Sequence, residues 1–142
     1  MNVSIASRYS RVIHPLHSVL LAGTVALFFS AALTDAVYAS TYEIQWSNFA
    51  SWLIVGGLML GGIALIFAII DLSRPARRAP GIVVYAAVLL AAWVIGFFSA
   101  LMHARDAWGS MPGGLVLSVI ATMLASVATW FGFATPRIGT AR

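Results

Sequence analysis

The chain has 142 residues, 61% of them hydrophobic and 8% charged, with a formal charge of +4. Soluble domains carry about 25% charged residues, so this composition excludes a soluble globular domain and, with it, a soluble enzyme. Cysteine and lysine are both absent, which excludes disulfides, Cys-held clusters or zinc, covalent c-type haem, the P-loop lysine and Schiff-base chemistry.

Four apolar stretches predict membrane-spanning helices over about 15–38, 49–71, 81–103 and 112–134, each near the ~20 residues that cross ~30 Å of hydrocarbon. Arg8 and Arg11 precede the first stretch, and Pro15 suits its opening turn, where a missing N–H costs nothing. That stretch is too long for a signal-peptide core and carries His14, His17 and Asp35, so it is expected to be retained as a helix. A first loop is expected over Ala39–Asn48, with Glu43 and no basic residue. In the second stretch, Gly57 and Gly61 form a G-x-x-x-G spacing that lets two backbones approach closely, within the bundle in preference to between two copies. Pro75 and Pro80 bracket the next loop, which carries Arg77 and Arg78. Trp93 falls mid-helix and is expected to pack. After the third stretch, Ser110-Met111-Pro112 reads as an N-cap followed by an early-helix proline.

The positive-inside rule orients the chain. Arg8, Arg11, Arg74, Arg77, Arg78, Arg137 and Arg142 fall on one side if the chain crosses four times, and only Arg105 falls on the other. The expected fold is therefore an all-α integral membrane four-helix up-down bundle, a single transmembrane domain over 1–142 with both termini cytoplasmic. Trp46, Trp52, Trp108 and Tyr42 suit the outer interface, and Trp130 and Tyr85 the inner one. This arginine excess lies in short inter-helix segments and is no sign of nucleic-acid binding.

Ionisable residues at membrane depth usually face a cavity or a partner. Here they sort onto two levels. The cytoplasmic level holds His14, His17, Asp71 and Arg74, where a carboxylate beside an imidazole could hold a cofactor or metal, or relay protons. Its bland alternative is a head-group contact for the histidines and an Asp71–Arg74 pair. The periplasmic level holds Asp35, Glu43, His103, Arg105 and Asp106. Asp35 pairs either with Arg105 at a helix end or with His103 beneath a docking loop. His14, His17 and His103 are the candidate cofactor ligands for haem b or quinone, but helix length puts the first two about 30 Å from His103, so one chain cannot supply both histidines of a bis-histidine haem. Between the levels lie only hydroxyls: Thr24, Ser30, Ser99, Ser118, Thr122 and Ser126.

His14-Pro15-Leu16-His17 at the mouth of the first helix, with Asp35 near its end and Ile70-Asp71-Leu72 closing the second, resembles the DUF2231 family of four-helix bacterial inner-membrane proteins of unknown function. Family members occur fused to, or encoded beside, periplasmic quinoprotein dehydrogenases and c-type cytochromes. The resemblance thus implies a multi-pass inner-membrane protein that anchors, or exchanges electrons with, a periplasmic dehydrogenase or cytochrome. It implies no catalytic residue, and independent catalytic activity is not expected. The alternatives are a structural or assembly protein without cofactor, and a small metal- or proton-handling transporter. Self-association into a homo-oligomer is open to a bundle this small.

Overall fold

A computed structural model describes residues 15–74 and 81–134. Its helices are α1 (Pro15–Thr41), α2 (Ile44–Ser73), α3 (Ile82–His103), the single turn α4 (Ala107–Ser110) and α5 (Gly113–Ala134). The four long helices are each long and apolar enough to cross a membrane. Successive long helices pack as neighbours and α5 closes back on α1, so the bundle is a four-membered ring with α1 and α3 on one diagonal. The α1–α2 and α3–α5 connections share one end, here the hairpin end; α1 begins and α5 finishes at the other, the terminal end.

The interior is built from small residues. Ala31, Ala50, Ala64, Ala121 and Ala128 are fully buried, whereas Phe29, Leu33, Met59, Ile66, Val83 and Phe98 point outward. A soluble bundle would reverse this. In lipid the outward face is already in hydrocarbon, so helices associate through close backbone approach and van der Waals packing. The glycine spacing of α2 does this within the chain. A Cβ on Gly57 would fall 2.6 Å from Phe28 of α1, and one on Gly61 would fall 3.1 Å from Thr24. A Cβ on Gly96 of α3 would also meet Phe28, at 2.7 Å. The Phe28 ring is thus wedged between bare backbones of α2 and α3. Trp93 closes the α2–α3 seam: its ring lies against Gly61 and Gly62, and its Nε1–H donates to the Leu58 carbonyl at 3.0 Å.

Two connections differ from expectation. The loop expected over Ala39–Asn48 shrinks to Tyr42 and Glu43. Helix α1 runs on to Thr41 because Ser40 and Thr41 donate their hydroxyls to the Val37 carbonyl. Tyr42 then turns left-handed at φ 56°, with its N–H on Tyr38 O at 2.7 Å, and α2 starts at once. A tyrosine in this conformation costs on the order of 1–2 kcal/mol, and its ring is held by stacking on Trp108 at 5.5 Å and by an edge contact with Tyr38. Ser110 does not cap the last helix. It ends α4, buried, with its hydroxyl on Ala107 O.

Candidate functional site

Both ends of the bundle are pinned across the α1–α3 diagonal. At the hairpin end Asp35 projects from the buried face of α1 and meets His103, the last residue of α3, with 2.7 Å between Oδ1 and Nε2. Both side chains are almost wholly removed from solvent, at 0% and 1% exposure. Ser118 of α5 donates its hydroxyl to Asp35 Oδ2 at 2.6 Å. Ser99, one turn before His103, lies 3.0 Å from Ser118 Oγ. Since the Ser118 proton is given to Asp35, Ser99 is the donor in that contact. The ring closes where His103 Nδ1 meets the Ser99 carbonyl at 2.7 Å. The imidazole also lies close against α5, where a Cβ on Gly114 would stand 3.0 Å from its Cε1.

This order of donors is not that of a nucleophilic triad. The serine hydroxyl points at the carboxylate instead of the imidazole, so no base withdraws its proton. Here the carboxylate is the hub, accepting from one helix and bridged to another.

At the terminal end His17 of α1 reaches Tyr85 of α3, Nε2 to the phenolic oxygen at 2.6 Å. Phe67 of α2 and Tyr85 both lie edge-on to the imidazole, with ring centroids 6.0 Å away in each case. The partners at both ends are separated by 68 positions in the chain. His17 and Asp35 are about five helical turns apart, as are Tyr85 and His103, so each pair lies on one face of its helix and the pins stand about 27 Å apart. Between them the core is apolar: Leu21, Phe28, Leu89, Ala92, Ala121 and Ala125 are buried there. Thr24, Thr122 and Ser126 turn their hydroxyls onto carbonyls of their own helices.

A family model for a predicted membrane protein, DUF2231, matches residues 13–135. The chain belongs to the DUF2231 family. No curated protein and no solved structure matches it.

In this DUF2231 chain Asp35 is joined to His103, while Arg105 turns its guanidinium toward Met102 Sδ at 3.8 Å. Glu43, Arg105 and Asp106 are exposed in the two hairpin-end connections. At the terminal end the structure joins His17 to Tyr85. Asp71 is half-buried near the end of α2, with its carbonyl accepting from the Arg74 backbone N–H. His14 lies outside the described residues. Tyr85, expected at the lipid interface, is instead buried at 6% exposure, because its hydroxyl has a partner inside the bundle. Sequence reasoning also placed Ser99 and Ser118 among the neutral mid-bundle hydroxyls. Their one signal was depth: Ser99 is one turn from His103, and Ser118 lies at the start of the antiparallel helix.

Proposed function

We propose that this protein is a membrane-embedded docking subunit of the bacterial inner membrane, with both termini cytoplasmic, whose hairpin end holds a periplasmic redox enzyme of the dehydrogenase or cytochrome class. The observation that carries this reading is the construction of the hairpin end. Beneath the surface, α1, α3 and α5 are tied by the Asp35–His103–Ser118 network. Above it the two connections are joined by the Tyr42–Trp108 stack, whose rings are 54% and 75% exposed. Glu43, Arg105 and Asp106, exposed in the same two connections, add charges of both signs. Exposed aromatic rings on a rigid base, rimmed by charge, are the composition favoured at protein interfaces. By sequence the arginine-rich segments belong to the ends of the spans away from this platform, and the positive-inside rule then favours a periplasmic platform. The class of partner is taken from what the DUF2231 resemblance implies.

A cofactor role divides between the two pins. His103 has both ring nitrogens engaged, so haem ligation there would first break the bonds to Asp35 and Ser99. At the terminal end the His17 ring nitrogen and the Tyr85 hydroxyl are bonded to each other at 2.6 Å, so a quinone carbonyl there would exchange into that bond. The transporter alternative needs a polar path between the pins, which the apolar layer between them does not offer among the described residues.

The test is retention of a defined enzyme. Tagged protein is purified in mild detergent from membranes of its native host, and the eluate is assayed for quinoprotein sugar dehydrogenase activity and for c-type haem. Retained activity, lost when Tyr42 and Trp108 are both changed to Ala in a protein of unchanged thermal stability, supports docking. A stable wild-type protein that retains neither dehydrogenase nor cytochrome overturns it.

A further inference from the structure

We propose that the Asp35–His103 contact is a binding site for a single proton, and that this proton latches the hairpin end of the bundle across its diagonal.

The argument is a count of donors and acceptors. The Ser99 carbonyl can only accept, so His103 Nδ1 must carry a hydrogen to make its 2.7 Å contact. Asp35 Oδ2 takes the Ser118 hydroxyl hydrogen. What remains is His103 Nε2 facing Asp35 Oδ1 at 2.7 Å. An imidazole protonated only at Nδ1 presents a lone pair at Nε2, and an ionised carboxylate presents only lone pairs. Two lone pairs do not hold each other at that distance. One proton must lie between the two atoms, carried either by the imidazolium or by the carboxylic acid, and both arrangements leave the pair neutral overall. Neutrality suits a pair with no solvent contact.

Loss of that proton to water leaves an Asp35 carboxylate and a neutral imidazole, and with the Ser99 carbonyl holding the remaining ring hydrogen on Nδ1 no hydrogen bond joins the pair. No described arginine bonds to Asp35: Arg105 points at Met102 Sδ, and Arg105 and Asp106 are exposed in the connection after His103. On α1 the other titratable group nearby is Tyr38, one turn beyond Asp35; Glu43 is exposed ahead of α2, and α5 offers only Ser118. Charge on Asp35 then favours hydration, and α1 and α3 lose their direct tie at this end. α1 and α3 still meet at mid-bundle, where Phe28 lies against Gly96, and at the far end through His17 and Tyr85, so the tie reports one proton as a change in helix spacing at the hairpin end.

Asparagine at position 35 separates the proton from the bond. Its amide nitrogen donates to Nε2 permanently, and its carbonyl still accepts from Ser118. The chain has no cysteine, so Ala36→Cys and Ala104→Cys, at exposed positions on either side of the latch, admit one spin label each. The distance between labels is measured in lipid nanodiscs as pH rises, in the wild-type background and in Asp35→Asn. The expected result is a shift to longer, broader distances in the wild type and none in Asp35→Asn. Nitrogen NMR of His103 in the unlabelled wild type gives a second reading that needs no variant at Asp35: Nδ1 stays protonated throughout while Nε2 loses its shared proton over the same pH range. Identical distance shifts in both backgrounds, or an Nε2 already bare while the labels remain close, would overturn the proposal.

Discussion

Asp35 and His103 lie on diagonal helices of the bundle, yet their side chains close to 2.7 Å through its centre. His17 and Tyr85 repeat that relationship about five turns away with the same sequence offset. Both ends of one diagonal are therefore fastened by polar bonds, while between them the two helices meet by packing, as where Phe28 lies against Gly96. Each pin places a histidine on the helix opposite to the one that carries it at the other end.

Asp35→Ala leaves the Ser118 hydroxyl and His103 Nε2 without their acceptor or partner in a buried site. Stranded buried groups cost about 1–3 kcal/mol each, although hydrogen bonds inside bilayers average nearer ~0.6 kcal/mol. The expected loss is about 2 kcal/mol, read by denaturant unfolding in mixed micelles. Asp35→Asn keeps both bonds and is expected to lose less than half as much.

Gly114→Ala acts on the same network from α5. The new methyl group would stand 3.0 Å from His103 Cε1 and 3.4 Å from Nε2, so the imidazole must shift by a few tenths of an ångström within its hydrogen-bonded ring. Overpacking of this kind costs about 1–3 kcal/mol. The expected outcome is a lower unfolding midpoint together with a changed His103 nitrogen spectrum. Gly109→Ala, with nothing near its Cβ position, serves as the silent control.

Phe28 supplies a packing test. Gly57→Ala and Gly96→Ala each place a methyl group within 2.7 Å of the Phe28 ring, from α2 and α3. Each is expected to destabilise by about 1–3 kcal/mol. Combined with Phe28→Leu, either glycine variant should cost clearly less than the sum of the two single changes, because the smaller side chain vacates the space the methyl group needs. Strict additivity in this double-mutant cycle would mean that Phe28 is not what the glycines accommodate.

Tyr85→Phe removes the hydroxyl that meets His17 while keeping the ring that packs against Gly132. The expected cost is about 1 kcal/mol. Hydrogen exchange should accelerate in the first turns of α1 and α3 and stay unchanged around Ser99–His103. Acceleration at both ends would show that the two pins act as one unit.

Four spans, their order and their antiparallel succession were legible because they depend on composition and length, and lipid imposes those directly: every backbone group must be bonded within its own helix, and only long apolar runs qualify. Asp35 stood out because a carboxylate inside such a run demands a partner. The partner itself was harder to read. Depth alone allowed both Arg105 and His103, and helix rotation chose His103 by turning Asp35 toward the bundle centre. Rotation was unreadable because both faces of each helix are apolar, so no amphipathic stripe marks the interior. The same ambiguity set Tyr85 at the inner interface although its side chain is buried in the bundle, and left Ser99 and Ser118 among unremarkable hydroxyls. In this protein the sequence by itself determined that four stretches form helices long and apolar enough to cross a membrane. Only the tertiary structure decided which small residues meet, which face of each helix turns inward, and that a carboxylate, an imidazole and two hydroxyls from three helices close into one ring.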